Sequence, residues 1–305
     1  MKNEINNAKE FISQYKKLIT IFILTPFIPL AILFSVLTYG KMKTAQITVD
    51  ERFSLSSSMK SPYDDILKGI YQFSFAFCGD PHMQAEGDGF FSELNEYIKA
   101  NKAAFVIFGG DLTFLGKDAE YENFVKHASS LTVPPYPAIG NHDLYNNGWS
   151  NYWKYLGPSA YSFYGGNAKF IVIDTATGDI GEKQMEWLTK ELKGNRQPLL
   201  FVISHMPIYG GLQGKYEFPK TQERVELINL FEKYEVDFVL EGHYHGFVDI
   251  TVNGVRYITS GSFNETLLDS GLRHFLFFRV YGPNVTVEKV IVGADIPIDY
   301  RATEI

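Results

Sequence analysis

Short apolar runs alternate with amphipathic stretches along the chain from Tyr71 onward. Apolar runs rich in Phe, Val and Ile are typical of buried strands, and apolar positions recurring every three or four residues indicate helices that face a core. The predicted helices are Phe90–Lys99, Ala119–Ser129, Trp149–Leu156, Lys183–Leu192 and Thr221–Tyr234. The predicted strands are Phe73–Cys78, Ala104–Phe108, Tyr136–Ile139, Tyr161–Tyr164, Phe170–Asp174, Leu199–Ser204, Phe238–Leu240, Phe247–Val252, Val255–Thr259, His274–Tyr281 and Val285–Val292.

The order of these elements indicates the fold class. Strands and helices alternate in the first half, which favours crossover connections and parallel pairing. The last part runs strand after strand, and Asn253-Gly254 between two of them is a strong signal for a two-residue hairpin turn. The pattern therefore predicts an α/β protein in which sheets pack on each other with helices outside.

A different pattern precedes these elements. Leu18 to Leu37 contains no charged residue and almost no polar one. About 20 residues of helix span the roughly 30 Å hydrocarbon core of a bilayer, so we predict a single transmembrane helix at 18–38. A cleaved signal peptide is the alternative. It is less favoured because the run is longer than a usual signal core and no small-residue cleavage site follows it.

The chain is thus predicted to divide into an N-terminal segment 1–17, the transmembrane helix 18–38, a linker 39–70 and a catalytic domain 71–305. The linker prediction rests on the Ser-rich, weakly periodic stretch Ser54 to Pro62. Basic residues before the span outnumber those after it by one, which favours a cytoplasmic N-terminus and an extracytoplasmic domain. These residues are Lys2, Lys9, Lys16 and Lys17 on one side, and Lys41, Lys43 and Arg52 on the other.

The charge of the chain limits the classes of partner that it can bind. The net charge is −7, and because residues 1–43 contribute +4, the remainder carries −11. An acidic domain is a poor match for a nucleic-acid backbone, so no nucleic-acid partner is expected. An anionic substrate would need a local positive centre, which bound metal provides. The single cysteine, Cys78, excludes an internal disulfide but does not decide the compartment.

Candidate chemistry is concentrated in five polar segments. Each lies at or beyond the end of a predicted strand, where α/β sheets place their sites. They are Asp80-Pro81-His82, Gly109-Gly110-Asp111, Gly140-Asn141-His142-Asp143, Ser204-His205 and Gly242-His243-Tyr244-His245. Carboxylate, amide and imidazole donors without thiolate suit Mn, Fe or Zn rather than a structural zinc cluster. The segments together predict a pocket for two divalent metal ions.

Each segment alone has a simpler interpretation. Asp111 and the Asn141 segment are also typical of polar turns, and a lone His205 after a buried strand is more often structural. The occurrence of all five segments in one chain favours a metal site. Within it, His142 is a candidate for proton transfer, and Asp143 beside it is a candidate for fixing the His142 tautomer.

In this order, the five segments resemble the calcineurin-like metallophosphoesterase superfamily over about residues 72–295. Ile173-Asp174-Thr175, followed by Gly181 to Leu188, resembles a segment common in bacterial members. The resemblance implies a four-layer α/β/β/α sandwich. It also implies metal ligands: Asp80, His82 and His245 for one ion, Asn141, His205 and His243 for the other, and Asp111 bridging both.

The resemblance further implies that His142 acts near the leaving oxygen, with Asp143 orienting it. The predicted function is metal-dependent phosphoester hydrolysis by a two-metal-activated hydroxide, on a phosphorylated small molecule or lipid. Alternatives are a phosphodiesterase or pyrophosphatase acting on a cyclic-nucleotide or lipid-linked substrate, and a non-catalytic membrane scaffold. The natural substrate, the native metals and the oligomeric state stay open.

Overall fold

Two β-sheets form the centre of the structure, a computed structural model that describes residues 47–209, 216–263 and 272–293. The helices are α1 (Val49–Ser58), α2 (Phe91–Ala100), α3 (Asp118–Ala128), α4 (Trp149–Tyr155), α5 (Glu182–Lys193) and α6 (Thr221–Lys233), with a 3₁₀ segment at His142–Asn147. The strands are β1 (Gln72–Cys78), β2 (Phe105–Phe108), β3 (Pro135–Pro137), β4 (Tyr161–Gly165), β5 (Ala168–Val172), β6 (Leu199–Ser204), β7 (Phe238–Glu241), β8 (Val248–Val252), β9 (Val255–Thr259), β10 (His274–Tyr281) and β11 (Asn284–Ile291).

The strand order brings the predicted polar segments to one side of each sheet. The five-stranded sheet has the order β11-β10-β1-β2-β3, in which β1, β2 and β3 run parallel. The six-stranded sheet has the order β4-β5-β6-β7-β9-β8, in which β5, β6, β7 and β9 run parallel. The segments that follow β1, β2 and β3 therefore leave one sheet at a common edge, and those after β6 and β7 leave the other in the same way.

Three apolar clusters hold these layers together. Alternate residues of β1 face opposite sides: Phe75 and Phe77 lie between the two sheets, whereas Cys78 lies on the outer face. Helices α2, α3 and α4 cover that outer face, with residues such as Leu94 packed into it. Helices α5 and α6 cover the outer face of the six-stranded sheet, where Leu188 packs. The predicted mixed α/β fold with two sheets is confirmed.

The predicted elements lie within about two residues of the observed ones. The hairpin between β8 and β9 is confirmed, since Asn253 and Gly254 have φ values of 51° and 88°, which the two central positions of this turn require. Strand β5 ends two residues earlier than predicted. Asp174 leaves the β5 ladder because its N–H donates to the Gln184 side chain at 2.7 Å.

The prediction of a linker throughout 39–70 is corrected by α1. Thr48 caps this helix and forms a capping box with Glu51. Its buried residues recur with helical spacing and are Val49, Arg52, Phe53 and Ser56. Because two of these four are polar, the apolar period is hidden in the sequence. Arg52 tolerates burial because it pairs with Asp174 inside the domain.

The described residues all belong to one compact unit. None of the helices formed by these residues is both long enough and apolar enough to cross a bilayer. The predicted membrane helix at 18–38 and the segment 1–17 lie outside the described residues.

Candidate metal centre

The five polar segments converge on one place between the sheet edges. Their side chains form two groups, each with ligand atoms within 4.8 Å of one another. The first group consists of Asp80, His82, Asp111 and His245, and the second of Asp111, His205 and His243. Asp111 belongs to both groups, which is the arrangement that a carboxylate bridging two cations requires. These groups correspond to the two predicted ligand sets, and the assignment of each residue to an ion stays a prediction.

Unusual backbone conformations accompany these side chains. Asp80, His82, Asp111, His243 and His245 all have positive φ, between 44° and 65°. This region costs about 1–2 kcal/mol for a residue with a Cβ atom, and such strain concentrates at functional sites. The turns are held by neighbouring segments: the His82 N–H, for example, donates to the Asp111 carbonyl at 2.9 Å. The positive φ values turn side chains back toward the common edge.

Two glycines of the polar segments allow the loops to approach each other. A Cβ atom on Gly140 would overlap the backbone nitrogen and the carboxylate of Asp111. A Cβ atom on Gly110 would overlap the imidazole of His205. These positions therefore need glycine because a metal-site side chain occupies the space.

The first group surrounds the carboxylate of Asp80. The backbone N–H of His243 donates to both carboxylate oxygens, at 3.0 and 2.9 Å. The Nε2 atom of His245 lies 3.7 Å from Asp80 Oδ1, and the Nε2 atom of His82 lies 3.3 Å from Asp111 Oδ2. The hydrogen bonds from His243 fix the carboxylate, while the imidazoles face the space between the two acids.

The second group has its ring orientation set by the backbone. His205 Nδ1 donates to the Gly109 carbonyl at 2.9 Å, because a carbonyl oxygen can only accept. His205 Nε2 then lies 3.0 Å from Asn141 Oδ1 and 3.3 Å from Asp111 Oδ1. The amide Nδ2 of Asn141 donates to the Tyr145 hydroxyl at 3.2 Å, which leaves the amide oxygen facing the site. Asn141 therefore joins this group with a neutral oxygen donor.

The two carboxylates of the site are buried beside several imidazoles, which shift each other's pKa values. Asp80 and Asp111 are 0% and 1% exposed. Burial raises the pKa of Asp80, and although burial acts in the same direction on Asp111, the nearby His205 and His142 bring the pKa of Asp111 well below its usual range. Burial opposes protonation of His205, but Asp111 and Asp80 raise its pKa to about 9.

The pKa of His243 shifts in the opposite direction from the pKa of His205. Burial, followed by repulsion from His205, lowers its pKa to about 3, so this imidazole is neutral and free to act as a ligand. Two buried carboxylates, an amide oxygen and imidazoles, which bind metal in their neutral form, are donors that suit divalent transition metals. The residues present therefore fit two metal ions.

His142 stands beside the two groups rather than within them. Its Nδ1 atom donates to the Phe114 carbonyl at 2.8 Å, and its Nε2 atom lies 4.0 Å from Asp111 Oδ2. Its side chain is 21% exposed. Because Nδ1 is engaged by the Phe114 carbonyl, Nε2 is the ring nitrogen left to contact a ligand. The role of His142 in proton transfer stays a prediction.

The predicted orienting role of Asp143 is wrong. The partner of His142 Nδ1 is the Phe114 carbonyl, and Asp143 is buried beneath the loops. Its carboxylate accepts the backbone N–H groups of Leu112, Thr113 and Gly140 at 2.9–3.1 Å, and also the Thr113 hydroxyl. Burial, together with the nearby Asp111, raises the pKa of Asp143 to about 7. Asp143 fastens the Asp111 loop to the Asn141 loop.

Glu241 is a further residue at the site that the sequence pattern did not single out. It is fully buried, and burial raises its pKa to about 8. It accepts the Ile208 N–H at 2.7 Å and the Thr259 hydroxyl at 3.0 Å. Glu241 thereby joins the loop after His205 to the strand that precedes His243. The signal in the sequence is a charged residue ending the apolar run of β7 directly before a glycine.

Sequence comparisons place this site among known proteins. The family model described as calcineurin-like phosphoesterase matches residues 73–247, which include every metal-site residue described above. A probable glycerophosphodiester phosphodiesterase, GpdQ of Arcobacter nitrofigilis, is 28% identical over 176 residues. The Fe(3+)-Zn(2+) purple acid phosphatase 12 of Arabidopsis thaliana is 28% identical over 206 residues.

The extent of these matches differs between the proteins. The alignments include 53% and 57% of this chain, but 63% and 43% of the two relatives, less than two thirds of either. Among solved structures, a dimetal phosphatase from Danio rerio has a TM-score of 0.61 at 15% identity, with 72% of this chain and 96% of that chain covered. That likeness concerns the fold alone. The family match and the two donor groups confirm the predicted cofactor, a pair of metal ions.

Proposed function

Because the chain belongs to the calcineurin-like phosphoesterase family, we propose that it is a metal-dependent hydrolase of phosphoesters. The observation that carries the proposal is the shared position of Asp111 between two donor groups, with His142 Nε2 4.0 Å from its carboxylate. A pair of divalent cations supplies positive charge for the phosphate oxygens and makes water a stronger nucleophile. Mn, Fe or Zn suits the donor set.

Residues of the chain position the metal ligands and transfer a proton. Asp111 holds the two ligand groups in register, while the N–H of His243 and the carbonyl of Gly109 fix the orientation of Asp80 and His205. The Phe114 carbonyl retains the Nδ1 proton of His142. The proton that moves is therefore the one at His142 Nε2, which we assign to the leaving alkoxide oxygen.

His142→Ala is expected to keep both metal ions but to lower kcat by roughly 10²- to 10³-fold on an alkyl phosphoester, since general-acid groups contribute on this order. The loss should be much smaller with p-nitrophenyl esters, whose leaving group departs without a proton. Steady-state kinetics on the two kinds of ester, with metal content measured in parallel, test this.

His127→Ala is the matched control, because His127 lies in α3 beside Phe91 and outside the two donor groups. It should leave kcat unchanged on both esters. An alkyl phosphoester turned over by His142→Ala at the rate of the natural chain would remove His142 from the reaction.

The type of ester is the finer part of the proposal. One relative is named as a probable glycerophosphodiester phosphodiesterase and the other as a purple acid phosphatase, so both diesters and monoesters are reasonable substrates. The test is hydrolysis of p-nitrophenyl phosphate and of its bis-ester by the full chain, loaded with Mn²⁺ or treated with a chelator. We expect turnover of at least one ester that stops on chelation and returns with added metal. Chelator-insensitive turnover would contradict the proposal.

Non-catalytic scaffolding is the remaining alternative. A scaffold would not need two complete donor groups with a partly exposed histidine beside them. Absence of turnover across monoesters, diesters, cyclic nucleotides and pyrophosphates by protein that holds two ions would favour the scaffold.

We also propose that residues 18–38 anchor the chain in a membrane with the catalytic domain on the extracytoplasmic side. The support is the uncharged apolar run and the small excess of Lys before it. Protease added to intact cells, and then to cells opened by osmotic shock, tests the orientation of the full chain. A domain that stays protected until the inner membrane is dissolved would reverse it, and a chain released by carbonate washing would exclude the anchor.

A further inference from the structure

A buried chain of polar contacts connects the first helix of the described structure to a metal-site histidine. It begins at Arg52 of α1, passes through Asp174 and Thr175 after β5, and ends at the turn that carries His205. All four residues are 0% exposed. Burial of so many polar groups is costly unless each is satisfied, so their contacts indicate what they hold in place.

Thr175 contacts the His205 turn directly. Its hydroxyl oxygen accepts the N–H of His205 and the N–H of Met206, both at 3.1 Å. The Ser204 hydroxyl donates to the Met206 carbonyl at 2.7 Å, which leaves its oxygen to accept the Thr175 proton at 3.1 Å. The single donor and both lone pairs of Thr175 are therefore used on one turn.

The contact with Thr175 holds the backbone of His205, whereas the contact with Gly109 orients only its ring. The Gly109 carbonyl sets which ring nitrogen faces the site. The position of the ring relative to Asp111 depends on where the backbone of the turn lies, and that backbone is held by Thr175. A shift of the turn would move Nε2 away from the second donor group without changing its tautomer.

Thr175 is itself held through its neighbour Asp174. The Asp174 carboxylate pairs with Arg52 through two contacts, at 2.7 Å from Nε and 2.9 Å from Nη2. It also accepts the Ser159 hydroxyl at 2.7 Å. The Gln184 side chain binds both the N–H and the carbonyl of Asp174, at 2.7 and 2.9 Å. A bidentate guanidinium contact of this kind restricts orientation as well as position.

We propose that Thr175 is a positioning residue for His205, and that Arg52 of α1, through Asp174, holds Thr175 in that place. The inference rests on the proposed function, because it takes His205 as a ligand of the second metal ion. It makes α1 a part of the catalytic unit, although the sequence around it has the composition of a tether.

The test is metal binding by the full chain, measured as a Mn²⁺ titration that resolves two ions. Thr175→Val keeps the shape of the side chain and removes its hydrogen bonds. We expect it to weaken one of the two ions by roughly 10- to 100-fold, the usual effect of removing an outer partner of a ligand. The affinity of the other ion should stay within a few-fold. Thr175→Ser, which restores the hydroxyl, should restore both affinities.

Arg52→Lys extends the test to α1 and guards against a Thr175→Val chain that fails to fold. Lysine keeps the charge near Asp174 but cannot make both guanidinium contacts. We expect the same ion to be weakened, by a smaller factor than in Thr175→Val. Lys169→Met is the matched control. It breaks another buried ion pair, to Glu191, at the opposite end of β5, and should change neither metal affinity.

The outcomes separate this inference from the proposed function. Two ions bound with unchanged affinity by both Thr175→Val and Arg52→Lys would overturn the positioning role. Equal weakening of both ions, matched by Lys169→Met, would do the same, since it would indicate general destabilisation. A natural chain that binds no ion would instead overturn the proposed function.

Discussion

Asp111→Asn is expected to abolish turnover and to reduce the metal content below two ions per chain. The substituted amide would keep one oxygen that can accept the His142 N–H, now 2.8 Å from Asp111 Oδ1, so the loops should stay in place. The substitution removes the charge and the second oxygen that the two donor groups share. Removing even an outer partner of a metal ligand lowers metal affinity or activity by about 10- to 100-fold. The loss in kcat/KM on removing a shared ligand should therefore exceed about 10²-fold.

Metal analysis after dialysis and kinetics on the preferred ester measure this result, and circular dichroism checks the fold. Asp249→Asn is the matched control, because Asp249 is an exposed carboxylate that pairs with Arg256 away from the site. It should retain two ions and full turnover. Asp111→Asn protein that holds two ions and keeps its rate would exclude a bridging carboxylate.

Asp143→Ala is expected to cause the largest loss of stability among single substitutions at the site. It leaves three backbone N–H groups without an acceptor, in Leu112, Thr113 and Gly140. Each buried donor left unsatisfied costs about 1–3 kcal/mol. The free energy of unfolding should therefore fall by about 3–5 kcal/mol, which is at the upper end for point substitutions.

Denaturant unfolding in the presence of a chelator isolates this effect, because metal loss then contributes nothing. Asp143→Asn retains one oxygen acceptor and should lose clearly less stability. If Asp143→Ala instead unfolded like the natural chain and lowered only the rate, Asp143 would be acting on His142, as the sequence first indicated.

Two particular residues illustrate the limit of prediction from sequence. Asp143 lies next to His142, and neighbours in sequence are the natural candidates for a functional pair. The structure separates them, because the 3₁₀ segment turns Asp143 inward, toward N–H groups of the β2 loop, while the His142 ring meets the Phe114 carbonyl. Arg52 shows the reverse: its partner Asp174 is 122 positions away, so no local pattern reveals it.

Features that depend on nearby residues could be predicted from the order of amino acids alone. The apolar periods predicted every strand and all helices except α1 within about two residues, Asn253-Gly254 predicted a hairpin, and the polar segments after strands indicated the candidate ligands. These features depend on residues close together along the chain, whose conformational preferences do not require tertiary contacts.

Contacts between residues distant in sequence depend instead on how the sheets and loops pack. Packing brings Asp111 into both donor groups and lets the Asp143 carboxylate accept backbone N–H groups. It also connects Arg52 of α1, through Asp174, to the turn of His205. Hydrogen-bond partners of this kind come from different strands and loops, and they are fixed only when the sheets pack and exclude water. Burial then makes each unsatisfied group costly, so the final pairing follows the packed geometry rather than the order of the chain.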